Sequence, residues 1–112
     1  MNNQDAIEHL TVEDRTIVLS CMRATAAHLD DAEAHTRLGI TPTGLARLIA
    51  DWPNVGNDEN AILALNNSLN EVCHGFKIEP GDWPKWFDVP IEQVRQTYLK
   101  WLSLTGLQGG IR

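Results

Sequence analysis

The fold of this chain is decided by residues 58–76, DENAILALNNSLNEVCHGF. Apolar side chains recur here at the three- and four-residue spacing that places them on one face of an α-helix; they are Ile62, Leu65, Leu69, Val72, Cys73 and Phe76. The acidic start and Gly75 near the end match helix start and stop signals. We therefore predict one central helix, with Leu69 at the centre of the core.

Amphipathic segments on both sides of this helix can cover its apolar face. Thr11, followed three residues later by Asp14, predicts the start of a long helix, and a short helix over residues 30–38 ends at Gly39. Thr41 then caps the next helix. Towards the C-terminus, Pro90 marks the first turn of a last helix, whose stripe is Ile91, Val94, Tyr98, Trp101 and Leu102.

These segments predict an all-α fold, a compact bundle of four to six helices. We expect a flexible N-terminus over residues 1–10, a single helical domain over 11–104 and a flexible tail over 105–112. The pattern predicts two pseudo-symmetric half-repeats, 11–52 and 58–101. An offset of 49 aligns Leu38 with Phe87 and Trp52 with Trp101, and an offset of 47 aligns Val18 with Leu65 and Leu29 with Phe76. Chance alignment of amphipathic helices is the alternative.

Composition and charge restrict the partners. The chain of 112 residues is 43% hydrophobic and has a formal net charge of −6. This charge argues against nucleic acid as the partner, because phosphate binding needs clustered cations, and it suits a protein with a basic surface. A homodimer is also left open. No apolar run approaches the roughly 20 residues of a membrane span and no secretory signal begins the chain, so we expect a cytoplasmic protein with buried, unpaired Cys21 and Cys73.

Residues 35–49, HTRLGITPTGLARLI, resemble the helix-turn-helix of bacterial regulators, with Gly39 at the turn. The resemblance implies a recognition helix over residues 41–50 that enters the major groove of DNA. The outward positions of that helix supply one cation, Arg47. A plain helical corner is the alternative.

Two histidine patterns bear on metal binding. His28, Asp31 and His35 would share a face only in an unbroken helix, and the signals at residues 30–39 predict a break. Glu71 and His74 form half of a helix-bundle di-metal motif, but no second pair exists, and we interpret Glu71 as facing solvent. No catalytic residue, cofactor or metal ligand is predicted.

The central helix also carries a group of polar residues, Asn66, Asn70, Glu71 and His74. Asparagine is a poor helix former, so its presence needs a compensating contact. We expect Asn66 and Asn70 to hydrogen-bond the backbone of connecting segments, with ligand contact as the alternative.

Aromatic residues concentrate in the last third of the chain, and the repeat alignment sorts them. Trp83 aligns with Ala34, whereas Trp86 aligns with Arg37, a residue expected at the surface. We therefore predict a protein interface centred on Trp86; its residues are Trp83, Lys85, Trp86 and Asp88. The alternative is that Trp86 packs its edge on Trp83 or on Tyr98.

Three functions follow from these patterns. The favoured one is a small acidic intracellular protein-interaction module, such as an adaptor, inhibitor, immunity or antitoxin-like protein. The first alternative is a helix-turn-helix DNA-binding regulator. The second is a small ligand-binding helical domain that uses the stripe Asn66, Asn70 and His74.

Overall fold

The chain is all-helical, as predicted. A computed structural model describes residues 3–56 and 58–107, and within these ranges the chain forms six α-helices and no strand. The helices are α1 (Asn3–Glu8), α2 (Val12–His28), α3 (Asp31–Leu38), α4 (Pro42–Asp51), α5 (Glu59–His74) and α6 (Ile91–Thr105), and a short 3₁₀ turn (Trp83–Lys85) precedes α6.

Helix α5 lies at the centre and packs against α2, α3, α4 and α6. Its predicted apolar stripe is confirmed: Leu65 and Leu69 are fully buried, and Phe76, beyond the helix end, is half-buried. The Asp58 side chain accepts from the amides of the first turn and fixes the start of the helix.

The break between the first two predicted helices is confirmed. Helix α2 ends at His28, and the Asp30 side chain caps α3 by accepting from the Glu33 amide at 2.8 Å. Gly39 closes α3 in the left-handed region, with φ of 71°, which glycine adopts without steric cost. The Thr41 hydroxyl then accepts from the Gly44 amide at 3.0 Å and begins α4.

The N-terminal segment needs correction. Residues 1–10 were expected to be flexible, but from residue 3 onward they form α1 and its connection, with Ile7 at 0% and Leu10 at 3% exposure. The buried residues Ala6, Ile7 and Leu10 span little more than one helical turn within a polar segment, so the sequence pattern did not reveal them. Residues 1 and 2 lie outside the described residues.

Long-range polar contacts hold α1 in place. The Gln4 side-chain oxygen accepts from the amides of Val55 and Gly56, at 3.1 and 2.8 Å. The Arg15 guanidinium donates to the carbonyl of Ile7, at 3.3 Å. The N-terminus is thereby attached to the loop before α5 and to α2.

At the C-terminus, α6 extends through Thr105, and Gly106 closes it with φ of 71°. The predicted tail over 105–112 therefore begins inside α6, and residues 108–112 lie outside the described part.

The half-repeats remain a prediction. Leu38 and Phe87, which the offset aligns, are both buried, but α3 has eight residues and the element aligned with it is a three-residue 3₁₀ turn. Trp52 is half-buried whereas Trp101 is fully buried.

Candidate functional site

The predicted interface residues all lie on the connection between α5 and α6, residues 75–90. Trp83 and Trp86 are both half-buried, so the expected contrast between them is not observed. Lys85 and Asp88 are exposed, and the Lys85 ammonium lies 2.9 Å from the carboxylate of Asp82.

The two tryptophans have different neighbours. The Trp83 ring stacks on Phe87 with centroids 4.4 Å apart, and its indole N–H donates to the carbonyl of Val89 at 2.8 Å. Trp86 meets the ring of His28 edge-on, at 5.9 Å. Trp86 is therefore partly covered by α2, a partner that the sequence did not identify.

His28 joins Trp86 to the end of α5. Its imidazole stacks on Phe76 with centroids 4.7 Å apart and the planes within 6° of parallel. Its Nδ1 lies 2.7 Å from the carbonyl of Ala24, which fixes the ring. Offset and edge-to-face ring contacts of this kind stabilise a surface aromatic cluster.

The predicted polar cluster does not form one surface. Asn66, Asn70 and Glu71 are each 5% exposed, and only His74 is exposed. Asn66 accepts a hydrogen bond from the indole N–H of Trp101 at 3.1 Å, so its partner is a side chain of α6 and not the backbone of a connecting segment. The Asn70 side-chain oxygen is buried and has no hydrogen-bond partner among the described residues.

Glu71 does not face solvent, contrary to expectation. Both of its carboxylate oxygens contact the guanidinium of Arg37 on α3, one of them accepting from Nη2 at 2.6 Å. A Cβ at position 75 would overlap this carboxylate, so Gly75 leaves room for the ion pair. Such two-point pairing between Arg and a carboxylate is strong and directional, and it joins α3 to α5.

A groove of about 550 Å³ opens between the end of α5, the connection and the start of α6. We call it the α5–α6 groove. Its apolar lining includes Val72, Ile78, Trp83 and Ile91. Its polar and charged lining includes Cys73, His74, Lys77, Glu92 and Arg95.

The charged side chains of the groove are available to a ligand. Lys77, Glu92 and Arg95 are exposed, and none of them takes part in an ion pair within residues 3–56 and 58–107. By contrast, the cations Arg37, Lys85 and Lys100 each have a carboxylate partner, as in the contact of the Lys100 ammonium with Asp14 at 2.7 Å.

Cys73 is a poor nucleophile where it stands. Burial raises the pKa of its thiol to about 11, against the opposing influence of the Arg95 guanidinium. Activated cysteines have pKa values of about 3.5 to 7.5, so Cys73 is protonated at neutral pH. Cys21, buried on α2, is also a free thiol, and burial raises its pKa well above the ordinary value. The prediction of buried, unpaired cysteines is confirmed.

The remaining patterns considered in the sequence concern DNA binding, metal binding and membrane spanning. Thr43, Ala46 and Arg47 are exposed on α4, the helix that the helix-turn-helix resemblance assigns to DNA. Across the described ranges, no three or more His, Cys, Asp or Glu side chains are grouped so as to hold a metal ion. No helix in the described part of the chain is long and apolar enough to cross a membrane.

Sequence reasoning did not find the groove. Lys77 lies in an aperiodic connection, and Glu92 and Arg95 fall outside the apolar stripe of α6. The sequence feature that could have indicated a site here is the long connection after α5, which contains Pro80 and Gly81, because long loops between helices often carry function.

Comparison with protein families, curated proteins and solved structures finds no match to this chain.

Proposed function

We propose that this chain is a non-catalytic protein-interaction domain that receives a segment of a partner protein in the α5–α6 groove. The observation that carries the proposal is the groove itself, an apolar floor bordered by charged side chains that have no ion-pair partner within the described residues. Binding sites commonly combine an apolar lining with a few polar groups that fix orientation.

The chemistry of the lining favours binding over catalysis. The nucleophile nearest the floor, Cys73, has a pKa of about 11 and is therefore protonated at neutral pH. His74, its neighbour in sequence, is exposed at the end of α5, whereas Cys73 is buried. Nucleophilic catalysis needs a base in hydrogen-bond contact with the nucleophile, and Cys73 has no such contact in the described chain.

The predicted interface agrees in part with this location. Trp83 lines the groove, and Lys85 and Asp88 are exposed on the same connection. Tryptophan beside charged residues is common at the centre of protein interfaces. Trp86, against His28, would form the border of the contact surface.

The proposal can be tested by blocking the groove chemically. Because both native cysteines are buried, a Glu92→Cys variant would present one reactive thiol at the groove, to which a bulky maleimide can be attached. Val12→Cys, at a site 78% exposed on α2, is the matched control. Partners are captured from a lysate of the source organism, identified by mass spectrometry and purified for titration.

We expect the label at position 92 to weaken binding of the purified partner by at least about tenfold relative to the unlabelled variant. The label at position 12 should leave affinity unchanged. Equal affinity for both labelled proteins would place the interaction elsewhere, and failure to retain any partner above a bead control would argue against an interaction module.

A small-molecule site is the second candidate, because about 550 Å³ lies within the usual range for ligand pockets. Of the predicted stripe, only His74 lines the groove. A rise in melting temperature with a small ligand, lost when position 92 is labelled, would favour this candidate.

A further inference from the structure

We infer that the segment received by the α5–α6 groove carries an acidic side chain next to a large apolar one. This inference rests on the proposed function and specifies the chemistry of the partner. It follows from a local reversal of charge: the chain has a net charge of −6, yet the groove is lined by two cations, Lys77 and Arg95, and one anion, Glu92.

Arg95 acts on the interior of the groove. Its positive charge lowers the pKa of the Cys73 thiol, against the larger effect of burial, so its field reaches the floor. A charge that borders a low-dielectric cleft acts more strongly on a bound ligand than a charge surrounded by water. A carboxylate bound above Cys73 would therefore be stabilised by Arg95.

The start of α6 adds to this effect. Pro90 occupies the N-cap position and makes no side-chain cap, and the amides of Ile91 and Glu92 have no acceptor within the described residues. Helices α2 to α5 are each capped by a side-chain oxygen. An exposed helix N-terminus favours anions, so it supports the assignment already made from Lys77 and Arg95.

A separate, apolar part of the groove lining can contact the large apolar side chain of the segment. Val72, Ile78 and Ile91 line the groove together with Trp83, whose indole N–H is already bonded to the carbonyl of Val89. The exposed ring surface and the aliphatic side chains offer contact to a Leu, Phe or Trp side chain without leaving a polar group unpaired.

Glu92 and Arg95 carry opposite charges, so removing each of them should change the affinity for an acidic ligand in opposite directions. The Glu92 carboxylate opposes an acidic ligand, whereas Arg95, three residues later on α6, attracts one. Both side chains are exposed and unpaired in the described chain, so Glu92→Gln and Arg95→Gln should leave the fold intact. Arg47→Gln, on α4, removes one charge outside the groove and serves as the control.

The experiment begins with a phage library of random heptapeptides selected on the wild-type protein, with subtraction on the Glu92→Cys protein blocked by maleimide. We expect the enriched peptides to contain Asp or Glu beside Leu, Phe or Trp. The most enriched sequence is then synthesised with its acidic residue and with the corresponding amide, and both peptides are titrated by fluorescence anisotropy.

Arg95→Gln should weaken binding of the acidic peptide by about threefold to fivefold and Glu92→Gln should strengthen it by about twofold to threefold, the scale expected of exposed charges. Arg47→Gln should have no effect, and 0.5 M salt should reduce both changes. The amide peptide should bind more weakly and respond to neither variant.

Each outcome decides one question. Enrichment of neutral or basic peptides, or changes in the same direction for Arg95→Gln and Glu92→Gln, would overturn the inference while leaving the groove as the binding site. Failure of the library to distinguish open from blocked protein would overturn the proposed function.

Discussion

The ion pair between Arg37 and Glu71 is the contact whose loss should be most informative about how α3 is held on α5. Glu71 is 5% exposed, so its carboxylate has little access to water, and Arg37 contacts both of its oxygens. Removing one partner of a buried pair costs about 3 to 5 kcal/mol. Because the Arg37 side chain is 36% exposed, we expect Arg37→Met to cost about 2 to 3 kcal/mol.

Replacing both charges should cost much less than the sum of the single changes. In Arg37→Met/Glu71→Met the buried carboxylate is gone, and apolar replacement of a buried pair is often close to neutral. We therefore expect the double variant to lie within about 1 kcal/mol of the wild type, with a coupling energy of at least about 1.5 kcal/mol. Arg47→Met, at an exposed and unpaired position, is the control and should change stability by less than about 0.5 kcal/mol.

Urea denaturation measures these differences. With a slope of about 1.5 kcal/mol per molar urea, a loss of about 2 to 3 kcal/mol lowers the midpoint by about 1.3 to 2 M. The reasoning would be refuted by a midpoint for Arg37→Met within about 0.3 M of the control, or by additivity of the two single changes.

Three further predictions concern the core, acid stability and thiol reactivity. Leu69→Ala should lower the free energy of unfolding by about 2 to 5 kcal/mol in the same urea assay. The control Leu99→Ala, at a site 60% exposed, should change it by less than about 0.5 kcal/mol. A loss as small as that of the control would contradict the place of Leu69 in the core. Burial tends to raise the pKa of Asp14. The hydrogen bonds that its carboxylate accepts, of which that from Lys100 has the largest effect, together outweigh burial and lower the pKa. The ionised Asp14 carboxylate therefore stabilises the fold fully above the ordinary carboxyl pKa near 4, and this stabilisation is lost as pH falls through the lower pKa of the folded state. Asp14→Asn should lower the free energy of unfolding by about 1.5 kcal/mol at pH 7, and this loss should shrink below about pH 4. A loss that does not change with pH would contradict this. With a pKa of about 11, Cys73 should be alkylated at pH 8 at least ~100-fold more slowly than a free cysteine, as measured by mass spectrometry with iodoacetamide, and denaturant should remove the protection.

The parts of the fold that sequence could predict are those specified by neighbouring residues. The stripe of α5 depends on residues three or four apart, and the cap of α3 at Asp30 and its end at Gly39 are local signals. These signals need no knowledge of the tertiary structure.

The contacts that were missed join residues far apart in the chain. Gln4 bonds the backbone at Val55, and Arg37 pairs with Glu71, 34 residues away. Either side chain alone is an ordinary surface residue by type. Its burial depends on which helices pack together, and amphipathic periodicity does not specify that pairing.

The candidate site is harder still to predict, because a groove is formed where side chains do not fill the space between elements. Its lining comes from the end of α5, the connection and the start of α6, which share no common period. The sequence predicted an interface centred on Trp86 and including Trp83, whereas only Trp83 lines the groove, and the repeat alignment could not represent the contact between Trp86 and His28.

The connection that closes one side of the groove is ordered by its own short-range contacts. The Asp82 amide donates to the carbonyl of Glu79 at 2.8 Å, the Trp83 indole donates to the carbonyl of Val89 at 2.8 Å, and the Trp83 ring stacks on Phe87. Phe87 is buried and thereby attaches this local structure to the core. The groove is therefore preformed in the free chain, and the segment proposed to bind there need not supply the free energy to order it, a cost that preorganised sites avoid.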